Sequence, residues 1–153
     1  MRRARRRFRR TGSNRALRVY LVSKARLGRW DDRYCAYWGV STAVTRRVRR
    51  FITRGFAVGL VPTSTFRPGD FGSYHAQRRA ADMGLRRELI GTARGLRRLR
   101  RFQAAEFRRR GRTRPIELIG PDNRRTILRG RVAPLTEGTP LEQQHDNHVH
   151  GAF

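Results

Sequence analysis

Residues 145–153 read His145-Asp146-Asn147-His148-Val149-His150-Gly151-Ala152-Phe153. Polar and apolar residues alternate here, and on a strand successive side chains point to opposite faces. The pattern predicts a strand from Asn147 to Phe153 that puts Asp146, His148 and His150 on one face and directs Val149 to a core. All four histidines of the chain lie either in this segment or at His75. The second place reads Ser73-Tyr74-His75-Ala76-Gln77-Arg78-Arg79-Ala80-Ala81-Asp82, so an imidazole precedes a carboxylate by seven positions at the edge of a short strand predicted over Arg79–Met83.

Working outward, a helix is expected from about Ser41, with Val44, Val48, Phe51 and Ile52 on its apolar stripe and Gly55 as its stop. The apolar, β-branched run from Phe56 to Thr65 reads as a buried strand, and Arg67-Pro68-Gly69-Asp70-Phe71-Gly72 as a loop. Thr92 is placed to cap a helix reaching about Arg110, with Leu96, Leu99, Phe102 and Phe107 inward and Gly111 closing it. Further strands are expected over Pro115–Gly120 and Thr126–Val132, with a polar loop from Thr136 to Gln144. The fold class is α+β: a small antiparallel sheet carrying the histidines, flanked by two main helices. The expected organisation is an Arg-rich arm over 1–12, a short helical segment within 13–39, and one domain over 40–153.

The 153 residues suit one domain with a tail, and a hydrophobic fraction of 37% still furnishes a core. A lone cysteine, Cys35, excludes an internal disulfide framework and any Cys-x-x-Cys pair. The formal charge of +26 is carried by arginine, since Lys24 is the only lysine among 37 basic residues. Arg2, Arg3, Arg5, Arg6, Arg7, Arg9 and Arg10 form a basic arm suited to polyanions: nucleic acid, an anionic membrane or wall teichoic acids. Its one aromatic, Phe8, provides no stacking platform for reading bases. The apolar run Ala16–Val22 is short and broken by Arg18, so neither a signal peptide nor a membrane span is expected.

Two histidines and one carboxylate are a ligand set for a catalytic zinc, which keeps a fourth position open for water. The competing readings are a surface histidine at position 75 and a histidine-rich tail with adventitious metal affinity.

Ser73, His75, Ala80 and Asp82 resemble the S-x-H-x-x-G-x-A-x-D signature of the zinc D-alanyl-D-alanine carboxypeptidase family, which shares its fold with the hedgehog-type peptidases. His148-Val149-His150 is similar to that fold's H-x-H, and Ser64-Thr65-Phe66-Arg67 to its S-x-Y-R segment. The wider texture over about residues 40–153 looks like small peptidase-like proteins of actinobacteriophages. The resemblance implies zinc held by His75, Asp82 and His150, with Arg67 as the electrophilic cation on the substrate carbonyl. It leaves the base open between His148, with Asp146 orienting it, and Asp146 itself, and it gives Ser73 a supporting hydrogen bond. It further implies cleavage of peptidoglycan stem peptides, as a carboxypeptidase or endopeptidase, by a phage lysin or virion-associated wall enzyme. The alternative is a nucleic-acid-binding or structural virion protein that uses its arginine arm on a degenerate peptidase-like fold. One position departs: Arg78 stands where the family has glycine, a site of positive φ or tight approach, and an arginine that strains the turn or covers the metal is the lesser alternative, a protein keeping fold and ligands with little peptidase activity.

Overall fold

The computed structural model describes residue 41 and residues 43–153, so the basic arm and the segment 13–39 lie outside the described residues. Helix α1 spans Arg46–Ala57 and is capped by Thr45, whose hydroxyl accepts from the Val48 amide. It starts later than expected because Thr45, not Ser41, satisfies the first free amide. It also runs past Gly55. A Cβ at Gly55 would meet Met83 Cε at 2.7 Å, so that glycine lets the helix press on the sheet instead of ending it. The stop is Gly59 at φ +84, with its amide bonded to Phe56 O and the Leu60 amide to Gly55 O, the two bonds of a Schellman ending. Phe56 and Ala57 are thereby helical, and the strand expected from Phe56 begins only at Val61.

Strands β1 (Val61–Ser64) and β2 (Ala80–Gly84) pair antiparallel. Helix α2 follows over Ala93–Phe107, capped as expected by Thr92, which accepts from the Gly95 amide at 3.0 Å. Strand β3 covers Glu117–Ile119. The single strand expected over Thr126–Val132 is a hairpin, β4 (Ile127–Leu128) and β5 (Arg131–Val132). Arg129 and Gly130 both take positive φ at its tip, the requirement of a tight hairpin turn. The expected polar loop contains one helical turn, α3 (Pro140–Gln143), and strand β6 spans His148–Ala152.

The sheet is six-stranded in the order β1-β2-β6-β3-β4-β5, antiparallel at every pairing. Its register makes the site. Asp82 lies opposite His150, and on the other edge of β6 His150 lies opposite Ile119. Met83 lies opposite Val149, one residue along and therefore on the reverse face. That reverse face takes the helices: Phe51 of α1 and Phe102 of α2 stack at 5.1 Å, and Phe51 meets Phe153 at 5.6 Å. A Cβ at Gly151 would strike the Phe51 ring at 2.6 Å, so this glycine admits the ring against β6. Val48, Phe51, Ile52, Met83, Leu118 and Val149 are fully buried, each gaining on the order of 1.5–3 kcal/mol from leaving water. One charge lies in this layer: Glu106 is fully buried and accepts from Arg54 at 2.6 and 2.7 Å and from Arg109 at 3.0 Å.

Candidate metal centre

Three parts of the chain meet on the face away from the helices. Strand β2 supplies Asp82 and β6 supplies His150, held opposite one another by the ladder. His75 comes from the connection between β1 and β2, in a turn closed by Arg78 N to His75 O at 3.0 Å and Arg79 N to Tyr74 O at 2.8 Å. Ser73 fastens the same turn by accepting from the Ala76 amide at 3.2 Å, so its support reaches His75 through the backbone. All three side chains are buried, at 3% exposure for His75 and Asp82 and 7% for His150.

The donor atoms form a nearly equilateral triangle. His75 Nε2 is 3.3 Å from His150 Nδ1 and 3.2 Å from Asp82 Oδ1, and His150 Nδ1 is 2.9 Å from the same carboxylate oxygen. Three ligands at bonds of about 2.0–2.1 Å in tetrahedral array stand about 3.3 Å apart, so the residues fit a small divalent metal without rearrangement. Each ligand is also held from behind. His75 donates its Nδ1 proton to the Thr65 carbonyl, which leaves the Nε2 lone pair facing the triangle. The outer oxygen of Asp82 accepts from Arg67 Nη2, and Arg67 Nε donates to Ser64 Oγ at 2.7 Å. His150 Nε2 lies 3.5 Å from Glu117 Oε2, an ion-pair separation longer than a hydrogen bond. Supports of this kind orient metal ligands and raise their basicity.

The protonation of the group follows from these contacts. Burial alone would raise the Asp82 carboxyl, yet its side-chain hydrogen bond to His150, with His75 beside it, holds it well below the usual carboxylate range. Burial likewise disfavours a charged His150, but Asp82 and Glu117 overcome it and raise the imidazole to about 9. Metal-free, the centre therefore keeps a proton on His150, and a metal ion would displace it.

The triangle opens into a cavity of about 320 Å³ whose lining includes Arg67, Asp70, Glu117, His145 and His148. Burial drives His148 down to about 4, with Asp82 opposing, so its imidazole is neutral at pH 7. His148 Nδ1 donates to Asn147 Oδ1 at 2.9 Å, leaving Nε2 with a free lone pair 3.9 Å from Asp82 Oδ1. His145, lowered chiefly by burial, donates Nδ1 to the Leu141 carbonyl at 2.7 Å and stacks on His148 at 4.8 Å.

His75, Asp82, His150, His148, Arg67 and Ser73 thus gather as the sequence suggested. Asp146 does not. It precedes β6, so strand alternation does not govern it, and it lines a separate cavity of about 550 Å³ with Leu96, Leu99 and Pro121. The residue orienting His148 is Asn147. Arg67 also differs from expectation in detail: two of its nitrogens are engaged by Asp82 and Ser64, so it stabilises a ligand carboxylate as well as facing the cavity. Arg78 has φ 60, the left-handed conformation that a glycine position signals. Its guanidinium lies over the Phe66 ring at 5.0 Å and is not among the cavity-lining groups, so it strains the turn and leaves the site open. Glu117 and His145 escaped notice as site residues. His145 carries a signal, the four-residue spacing to Leu141 at a helix end; Glu117 carries none, because only the β3–β6 register brings it near His150.

Among the described residues no helix is long and apolar enough to cross a membrane. The chain matches no family model, no curated protein and no solved structure.

Proposed function

We propose that the protein is a zinc-dependent peptidase acting on bacterial cell-wall peptide stems, as a phage lysin or virion-associated wall enzyme. The observation that carries the reading is the donor triangle of His75, Asp82 and His150, each supported from behind, beside a neutral His148 whose free Nε2 faces the same cavity. The order and spacing of Ser73, His75, Ala80, Asp82 and the closing His148-Val149-His150 favour a peptidase over other zinc chemistry.

Zinc at such a site supplies a Lewis acid for the scissile carbonyl and a water made acidic enough to attack near neutral pH. The protein's own groups do the rest. His148 Nε2 takes up a proton as attack proceeds and can return it to the leaving amine, with Asn147 holding the tautomer that keeps this nitrogen free. Arg67 lies at the rim, 48% exposed, with Nη1 turned to neither Asp82 nor Ser64 and able to donate to oxygen as negative charge develops on it. The buried walls keep bulk water from the ligands.

Exposed arginines on α1 (Arg46, Arg47, Arg50) and α2 (Arg94, Arg97, Arg101) extend the basic character of the N-terminal arm over the domain. They support a loose attraction to anionic wall polymers, and equally to nucleic acid, without selecting a sequence in either.

The test has two arms. Elemental mass spectrometry of tag-free protein is expected to give near one zinc per chain, and little in His150→Ala; absence of stoichiometric metal in folded, zinc-replete protein would remove the metal centre. Zinc-loaded protein is then incubated with peptidoglycan and synthetic stem peptides, with new amino termini quantified. Cleavage that falls 10²–10⁴-fold in His148→Ala supports the proposal. Full zinc loading with no bond cut in any stem peptide would leave a zinc domain and overturn the peptidase.

A further inference from the structure

Among the supports behind the ligands one is a half-buried carboxylate. Glu117 stands on β3, two strands from Asp82, with its side chain 22% exposed and its carboxylate 3.5 Å from His150 Nε2. No other hydrogen-bonding or charged partner is seen for it among the described residues. We infer that Glu117 is a positioning residue for the metal: as the acceptor nearest His150 Nε2 it draws the ring's proton to that nitrogen, and so favours the tautomer in which Nδ1 presents a lone pair to the ion.

The argument rests on the proposed metal centre and on proton bookkeeping in one ring. His150 faces the triangle through Nδ1, at 2.9 Å from Asp82 and 3.3 Å from His75. A neutral imidazole carries one N–H, so a ring that gives Nδ1 to a metal must keep its proton on Nε2. That proton lies on the far side of the ring, where the ring is 7% exposed and water cannot serve it freely. Glu117 is the acceptor the fold provides there. His75 has the same arrangement in mirror form, with Nδ1–H on the Thr65 carbonyl and Nε2 to the metal. The two histidines therefore bind through opposite nitrogens, and each has its remaining N–H assigned to a different acceptor: a neutral carbonyl for one, an anionic carboxylate for the other.

The anionic partner has a further consequence. The charged groups in and around the triangle are Asp82 within it, Arg67 on Asp82, Glu117 behind His150 and Asp70 on the cavity wall. A divalent ion would add two positive charges beside Arg67 in a buried site. Glu117 is the carboxylate that stands behind a ligand, and it offsets them through the imidazole.

The test compares wild type, Glu117→Gln and Glu117→Ala for zinc affinity, by competition with a chromophoric chelator at pH 7. Loss of the carboxylate is expected to weaken zinc binding 10–100-fold in Glu117→Ala, with Glu117→Gln in between because its amide oxygen still accepts. Long-range nitrogen–proton NMR of the imidazoles supplies a readout that general loosening would not move. Wild type with zinc should show His150 protonated at Nε2 alone, and Glu117→Ala should broaden or lose that signal while His75 keeps its own. Wild-type zinc affinity in both folded variants, with the His150 tautomer unchanged, would overturn the assignment while leaving the metal centre standing. Failure of wild-type protein to bind zinc would overturn both. Should Glu117→Ala fail to fold, the isosteric Glu117→Gln carries both measurements alone, and an affinity within twofold of wild type would then decide against Glu117.

Discussion

The two faces of the β2–β6 ribbon are made by the same ten residues and obey opposite rules. On one face Ala81, Met83 and Val149 join one apolar cluster with Phe51 and Phe102, and Gly151 admits the Phe51 ring. On the other, Asp82 and His150 are buried almost as deeply, at 3% and 7% exposure, where a charge is costly unless paired. The helix side contributes stability and needs no ligand. The site side has four ionisable groups, Arg67, His75, His148 and His150, within 4 Å of the Asp82 carboxylate and Glu117 beyond His150, and it is compact because donors meant for one ion face one another. Stability and ligand chemistry are separated by a single residue of register, Asp82 to Met83 on β2 and Val149 to His150 on β6.

The separation breaks most sharply on the apolar side. Phe51→Ala removes a fully buried ring that touches Phe102, Phe153 and Gly151, and is expected to cost about 3–5 kcal/mol in urea unfolding with or without zinc. The site side should respond differently. Asp82→Asn leaves the fold but deletes the charge on which His75, His150 and Arg67 converge, and zinc should then cease to protect against unfolding. In wild type, zinc at a thousandfold above its dissociation constant should add about 4 kcal/mol. Equal stabilisation of Asp82→Asn by zinc would place the metal elsewhere.

A smaller effect concerns pH in metal-free protein. His150, raised to about 9, keeps its proton longer folded than unfolded, so its contribution is complete below about 6.5 and is lost as pH rises to about 9. His148, lowered to about 4, acts in reverse: the unfolded chain protonates first as pH falls from about 6.5, and stability drops towards 4. Asp82, held below its ordinary range, extends the acid loss below about 4. Metal-free stability should therefore peak near pH 6.5 and fall on the order of 2 kcal/mol on the alkaline side. Chemical denaturation across pH 4–9 checks this, and a curve still rising at pH 8 would show that His150 is not held by its carboxylates. Zinc should flatten the alkaline limb, because the metal takes the place of the His150 proton.

How much of this was legible in the sequence depends on range. Thr92 as a cap, the buried stripe Val48-Phe51-Ile52 and the inward Val149 are local, and periodicity reports them. Gly55 and Gly59 look alike in sequence; which one ends α1 was decided by Met83, twenty-eight positions past Gly55, packing where a Cβ would be. The ligand trio was readable because spacing around His75 and His150 is itself a pattern. Asp146 was misplaced because alternation was extended two residues beyond the start of β6 at His148. Glu117 was invisible because its role exists only through pairing of β3 with β6, thirty-three positions away in the chain.

The smallest effect is at Arg78, where the turn carrying His75 pays for its shape. A residue with a Cβ at φ 60 bears about 1–2 kcal/mol of strain, and the Arg78 stack on Phe66 returns about 0.5–1 kcal/mol at an exposed site. Arg78→Gly relieves the strain but loses the stack and adds chain entropy to the unfolded state, about 0.5–1 kcal/mol. Its net change should be below about 1 kcal/mol, whereas Arg78→Ala keeps the strain, loses the stack and should be the less stable of the two by about 1 kcal/mol. Thermal melts of the pair isolate the backbone contribution from the side-chain one. Because the guanidinium lies over Phe66 and outside the cavity, zinc affinity and peptide cleavage should stay within twofold of wild type in both variants. A tenfold gain in cleavage by Arg78→Gly, at unchanged zinc affinity, would instead show that strain in this turn displaces His75 during turnover, and that the two faces of the ribbon are less independent than their register makes them.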